Sequence, residues 1–408
     1  MEHHHGPAPR ASPRVRRRLA LAVVPFAVAT LAGLALLWPG DVSQESVFGA
    51  GPVPRQYNAA VVEVDEGACD APPVTGFTCA VVEVELEGGP DEGDRASFEF
   101  AEGEGVRKIG PGDAILVGRS PGAPEAQAYY FVDYRRDVPL LFLGAIFAAM
   151  VVALSRLKGL SALLGLGISL AVLVWFVLPA ILEGSSPLAV AIVGAAAIMF
   201  VTLYMAHGIS ARTTTAVLGT LVSLTLTGVL AFVFVELGRF TGLASEEAAF
   251  LQVSAGQVNL EGLFLGGIII GALGVLDDVT VTQASAVWEL HRAQPDYGVR
   301  NLYGAALRIG RDHIAATVNT LVLAYAGASL PLLILFNLSD RSFATLATTE
   351  VVATEIVRTL VGSIGLVASV PITTALAAAV VRGEGAPAKK KSKPKWQPPP
   401  AELEWRDG

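Results

Sequence analysis

Two adjacent carboxylates, Asp277 and Asp278, follow a glycine-rich apolar run at residues 258–276. A charge at membrane depth is costly and marks a functional candidate, but the end of an apolar run lies near the interface, where that cost falls. If the helix continues to about residue 292, four polar side chains share one face: Asp278, Thr282, Ser285 and Glu289. This face is either a solvated acidic surface or a polar seam that guides a cation or a proton.

A second group of polar residues lies at the start of a later apolar run. His313, Thr317 and Thr320 share a helical face, with Asn319 beside them. An Asn inside an apolar helix needs a hydrogen-bond partner on a neighbouring helix, so this group either joins helices or contacts a substrate. An earlier run carries a similar stripe: Thr213, Thr220, Ser223 and Thr227.

Small residues form one edge of the glycine-rich run, at Gly267, Gly271 and Gly274. Such residues let helices approach closely in lipid, where apolar burial gives no drive for association. We therefore expect this edge to pack against another helix, or to line a path as a thin, bendable helix.

Familiar catalytic motifs are absent from the sequence. It contains no Walker A motif, no G-x-S-x-G elbow, no HExxH and no GxGxxG on a strand–helix turn. Three of the six histidines lie at residues 3–5, and the others are scattered. The sequence therefore predicts no catalytic residues, no metal site and no cofactor, and a protein that is not an enzyme.

Apolar runs must position these side chains. The 408 residues are 52% hydrophobic and only 16% charged, whereas soluble domains carry about 25% charge. A bilayer-spanning helix needs about 20 apolar residues, and eight runs qualify: 19–38, 138–155, 160–179, 187–206, 214–236, 258–276, 314–337 and 356–381. We predict a mainly α, polytopic membrane bundle over 138–381. The run at 19–38 is either an N-terminal anchor or a cleaved signal peptide.

Basic residues predict the orientation of this bundle. The basic N-terminus at 1–18 and the basic, Pro-rich tail at 382–408, which we expect to be disordered, both fall on the cytoplasmic side. In the loops between spans, seven bases lie inside and two outside, which follows the positive-inside rule. Residues 41–137 would then lie outside the plasma membrane.

The exported segment 41–137 reads as a small all-β domain. Five β-branched or alternating runs are separated by Gly, Pro and Asp clusters: Ala59–Val64, Thr78–Leu86, Ala96–Phe100, Ala114–Val117 and Tyr129–Tyr134. They predict an OB-like barrel or a small sandwich. The only cysteines, Cys69 and Cys79, would form a disulfide in an oxidising compartment. A net charge of −12 over residues 39–137 argues against nucleic acid as a partner.

Several motifs in the later spans resemble the YibE/F family of bacterial multi-pass membrane proteins. They are the runs 266–279, 283–286, 310–313, 319–327 and 361–366. The resemblance covers about residues 55–381 and implies a permease-like protein of the plasma membrane. It implies no established substrate and no catalytic residues. The family's single acid after the glycine-rich span corresponds to Asp278, and the neighbouring Asp277 departs from that pattern.

Two functions remain open at this point. The first is a permease or channel that moves a small solute or ion along a polar seam, with Asp278 as the key charge. The second is a non-transporting platform or receptor whose exported domain binds an envelope partner. Membrane lipid is an expected contact of either, a cytoplasmic protein partner is possible for both, and the sequence leaves the oligomeric state open.

Overall fold

The computed structural model describes residues 12–40, 55–67, 77–103, 107–120, 123, 128–338 and 342–383. The chain divides into two compact units. One comprises residues 43–163, and the other comprises residues 1–42 together with 164–408.

Five antiparallel strands form one sheet in the first unit, in the order β3-β2-β1-β4-β5. Their bounds are β1 Gln56–Glu66, β2 Phe77–Leu86, β3 Arg95–Gly103, β4 Ala114–Arg119 and β5 Tyr129–Tyr134. Alternate side chains point to one face of a strand, so Val82, Val84 and Ile115 pack into a shared core. These strands confirm the five predicted runs.

The sheet curls so that its two edge strands approach each other. The ring of Phe100 in β3 lies 5.1 Å from that of Phe131 in β5, edge to face. The described strands thus form a half-barrel, which agrees with the OB-like prediction and not with a two-sheet sandwich. Export of this unit stays a prediction. So does the pairing of Cys69 with Cys79, because Cys69 lies outside the described residues.

The other regular elements of the described chain are helices. Their bounds are α1 Pro13–Leu36, α2 Asp137–Val172, α3 Leu178–Leu182, α4 Pro187–His207, α5 Ala211–Gly238, α6 Glu246–Ser254, α7 Leu260–Ala293, α8 Val299–Ala328, α9 Leu330–Asn337, α10 Phe343–Ala347 and α11 Glu350–Arg382. A π-helical turn, Leu173–Val177, joins α2 to α3. Six helices in the described residues are long and apolar enough to cross a membrane, or seven if α8 and α9 count as one span.

The prediction of eight spans exceeds the six or seven in the described structure. The reason is that the predicted runs 138–155 and 160–179 both fall in the continuous segment Asp137–Leu182. Arg156 has a non-helical backbone there, with φ 52° and ψ −131°. A Cβ built on Gly159 would meet the carbonyl of Val151, so the chain turns sharply between the two runs. Two crossings in this segment stay a prediction.

The run predicted at 314–337 is not one straight helix. α8 and α9 meet at Ser329 with a bend of 66°. Pro331, at the start of α9, has no backbone N–H to continue the helix and favours a new first turn.

The bundle core lies where α5, α7 and α11 pack on one another, with α4 and α8 against α7. Met199, Val217 and Leu276 are buried in its main cluster. α1 belongs to the same unit, and Val193 of α4 occupies the space a side chain at Gly33 would need.

Candidate functional site

Buried polar side chains line the contact between α5, α7 and α11. We call this group the polar seam: Thr220, Ser223 and Thr227 on α5, Asp277, Thr280 and Gln283 on α7, and Thr373 and Thr374 on α11. All but Asp277 are at most 3% exposed. The predicted stripe on α5 is confirmed as a buried face, since Thr213 is also buried.

Asp277 is the only carboxylate of the seam. The hydroxyl of Thr202 on α4 donates to its Oδ2 across 3.4 Å. Its Oδ1 is enclosed and has no hydrogen-bond partner among the described residues. One turn further along α7, the hydroxyl of Thr280 hydrogen-bonds that of Thr220 at 2.7 Å and donates to the carbonyl of Asp277 at 3.2 Å.

These contacts place the carboxylate inside the bundle. Thr202 lies five residues before the end of α4 and Thr220 nine residues after the start of α5. At about 1.5 Å per residue, those positions are roughly 8 and 13 Å from the helix ends. The sequence placed Asp277 near the interface because the apolar run stops there. The helix continues for sixteen residues beyond it, to Ala293.

Gln283 connects three helices at the next level of the seam. Its Nε2 donates to the carbonyl of Ala306 on α8 at 2.9 Å and to the hydroxyl of Thr374 on α11 at 2.7 Å. Gly310 makes this possible, because a Cβ there would lie 2.8 Å from the Gln283 Oε1 and would also collide with Val370.

Two buried hydroxyls between α5 and α11 form no hydrogen bond within the described residues. Ser223 and Thr373 are fully buried, and neither hydroxyl oxygen has a hydrogen-bond partner in the described part of the chain. The two helices approach closely because Gly219 lies against Thr373 and Gly365 against Thr227, with no room for a Cβ. Small residues at polar helix contacts are typical of membrane bundles.

The face predicted from Asp278 points away from the seam. Asp278, Thr282 and Glu289 are exposed in the described structure, and Ser285 is half-buried. Glu289 forms an ion pair with Arg292. The helix predicted to carry this face is confirmed, but the structure brings the opposite face, with Asp277, Thr280 and Gln283, into the bundle. Spacing of three residues was the signal for that face.

The second predicted group also lies outside the seam. His313, Asn319 and Thr320 are exposed, and Thr317 is half-buried. The hydroxyls of Thr317 and Thr320 donate to carbonyls of their own helix, so they join no second helix.

The predicted packing edge on α7 is open in the described structure. A Cβ at Gly267 or Gly274 would meet nothing within 4 Å, and one at Gly271 would meet only the Tyr325 hydroxyl, at 3.5 Å. Close packing uses the next face instead, where Gly266 would bring a Cβ to 3.0 Å from Ala191.

The seam offers one carboxylate, several hydroxyls and one amide. No group of three or more His, Cys, Asp or Glu side chains in the described residues could hold a metal ion. Calcium and magnesium sites gather several oxygen ligands, often more than one of them a carboxylate. A lone carboxylate among hydroxyls is better matched to a monovalent cation or a hydrogen-bonding solute.

Six or seven apolar helices and a separate half-barrel sheet define a membrane protein of several spans. The family model described as YibE/F-like protein matches residues 143–383, more than half of the chain, so this chain belongs to that family. No curated protein and no solved structure matches it. The resemblance in the membrane spans is therefore confirmed, and the β domain lies outside the matched range.

Proposed function

We propose that this protein is a permease-like transporter or channel of the bacterial plasma membrane. It moves a small solute or a monovalent cation through the polar seam, with Asp277 as the binding carboxylate. The observation that carries the proposal is the enclosed Oδ1 of Asp277, which lacks a hydrogen-bond partner among the described residues.

A carboxylate with one oxygen left without a hydrogen-bond donor is expensive inside an apolar bundle. Ionisable residues in membrane spans are rare and mark ion or substrate paths or proton relays. A bound cation or a donor group of a solute would satisfy Oδ1, which Thr202 does not reach. The unpaired hydroxyls of Ser223 and Thr373 extend the available ligands along α5 and α11.

The proposal includes the orientation inferred from charge, with both termini in the cytoplasm and residues 41–137 outside. It assigns no catalytic residue, metal or cofactor, and it differs from the sequence prediction in its key charge. Asp277 replaces Asp278, since Asp278 is exposed.

The two neighbouring carboxylates allow a matched test. We would follow thermal unfolding of the purified full-length protein with Li⁺, Na⁺, K⁺ or choline as the only cation. A ligand at a hundredfold excess over its dissociation constant stabilises the native state by about 2.7 kcal/mol. We expect one alkali cation to raise the midpoint in wild type and in Asp278→Asn, and not in Asp277→Asn. Equal responses of the two variants would exclude Asp277 as the binding carboxylate.

The platform alternative is favoured by one observation in the half-barrel. Glu63 of β1 lies directly opposite Glu83 of β2, with Asp65 nearby on the same outer face. Arg95 pairs with Glu83 at 3.0 Å, so the two acids of β1 remain without an ion pair among the described residues, and like charges opposite each other are destabilising. A basic partner would relieve this repulsion. Binding of polylysine to the full-length protein should weaken in Glu63→Gln and stay unchanged in the control Glu92→Gln, which removes an exposed charge from a turn. Equal binding by both variants would count against the alternative.

A further inference from the structure

A cavity of about 1130 Å³ lies at the end of the bundle where α1, α4, α5 and α7 meet. Arg16 and Arg17 of α1, Arg212 of α5 and Arg292 of α7 contribute to its lining. Tyr204 and Trp288 add aromatic surface. None of these residues belongs to the polar seam.

The charge of this cavity is unbalanced. Arg16, Arg17 and Arg212 form no ion pair with any residue in the described ranges, and only Arg292 has a carboxylate partner, Glu289. Guanidinium groups bind phosphate through paired hydrogen bonds in a fixed geometry. Three uncompensated guanidiniums around one cavity therefore favour an anionic, phosphate-bearing ligand.

The same cavity has an apolar side. Leu19 and Val23 line it one and two turns beyond the arginines of α1, and Ala20 and Val24 lie beside them. One stretch of α1 thus changes from basic to apolar within about 10 Å, at 1.5 Å per residue. An inorganic anion would use only the basic part. An amphiphile would place its headgroup on the arginines and its chains along α1.

Size supports the same ligand. One water molecule occupies about 30 Å³ in the liquid, so the cavity holds far more than a phosphate ion. Basic pockets between spans on the cytoplasmic side of a membrane bind lipid headgroups. The positive-inside distribution puts these arginines on that side.

We propose that this cavity binds an acidic phospholipid of the cytoplasmic leaflet. The lipid phosphate pairs with Arg17 and Arg212, and its acyl chains lie against Leu19 and Val23. The bound lipid joins α1 to the bundle. This site is independent of the cation site at Asp277.

Lipid binding to the detergent-purified full-length protein tests the proposal. We would measure retention by native mass spectrometry, with phosphatidylglycerol, with phosphatidylcholine of the same chains, and with inorganic phosphate. The test variant is Arg17→Gln with Arg212→Gln. The control is Arg300→Gln with Arg308→Gln, which removes two exposed charges from α8, outside the cavity.

We expect phosphatidylglycerol to bind wild type and the control, and the test variant to bind it about tenfold more weakly or worse. Equal retention of the two lipids, or an equal loss in the control, would overturn the proposal. Inorganic phosphate that displaces the lipid completely at millimolar concentration would assign the cavity to a soluble anion instead.

A second measurement covers a test variant that does not fold. Phosphatidylglycerol with brominated chains should quench the fluorescence of Trp288, which lines the cavity. The quenched fraction should fall in Trp288→Phe relative to wild type. Quenching that is the same in wild type and Trp288→Phe would place the lipid elsewhere and overturn the proposal.

Discussion

Replacing Gly310 by Ala should destabilise the bundle although Ala is the better helix former. Gly310 lies in α8, next to Gln283 of α7 and Val370 of α11. The added Cβ would lie 2.8 Å from the Gln283 Oε1 and 3.1 Å from its Nε2, and it would collide with Val370. The Gln283 side chain cannot move away without losing its bonds to Ala306 and Thr374.

The magnitude follows from three contributions. Overpacking a tight core costs about 1–3 kcal/mol. Two hydrogen bonds between helices in a membrane protein are worth about 0.6 kcal/mol each. The higher helix propensity of Ala stabilises the variant by about 1 kcal/mol and so offsets part of this loss. We therefore expect the free energy of unfolding to fall by about 1–3 kcal/mol in Gly310→Ala.

Unfolding in mixed micelles with increasing dodecyl sulfate, followed by circular dichroism, measures this free energy. The control is Gly304→Ala in the same helix, where the nearest atom to the new Cβ is Arg308 Nη1 at 4.0 Å. It should raise the free energy of unfolding by roughly 0.5–1 kcal/mol. Equal stability of the two variants would refute the reasoning, because it would mean that Gly310 does not lie in close contact with Gln283.

Three further predictions concern other parts of the molecule. Gly267→Ala should leave the free energy of unfolding unchanged or raise it by up to about 1 kcal/mol in the same assay. A lower free energy of unfolding would mean that Gly267 packs closely against another helix, as the sequence predicted. Burial, together with the hydrogen bond to Asp91, raises the pKa of Tyr129 from 10 to about 12. The neutral phenol therefore contributes its full share to the stability of the half-barrel below pH 10, and that contribution is lost as the pH rises toward 12. Absorbance at 295 nm should show that late ionisation in wild type and not in Tyr129→Phe. A double-mutant cycle of Thr220→Val and Thr280→Val should give a coupling free energy of about 0.6 kcal/mol. A coupling of zero would show that this hydrogen bond does not join α5 to α7.

The helix α7 shows what periodicity could and could not predict. Its continuation past the carboxylates was correctly expected. The choice between Asp277 and Asp278 was not decided by spacing, because adjacent residues differ by about 100° around the helix and each fits a polar face. The decision comes from Thr202, which is 75 residues away in sequence.

Other differences have similar causes. The strands of the half-barrel could be predicted from the alternation of apolar and polar residues. The choice between a barrel and a sandwich could not, because it depends on the contact of Phe100 with Phe131, which lie on strands distant in sequence. Pro331 was a local signal for the bend between α8 and α9. The turn at Arg156 also had a local signal, since it falls in the gap between the predicted runs 138–155 and 160–179, and Gly159 follows it.

Cation flux into proteoliposomes tests the central claim most directly. Wild type, Asp277→Asn and Asp278→Asn would be reconstituted at equal density, and uptake of the alkali cation that stabilises wild type would be measured under a fixed gradient. Transport through the seam predicts flux in wild type and Asp278→Asn and background flux in Asp277→Asn. Full flux in a folded Asp277→Asn protein would contradict the account.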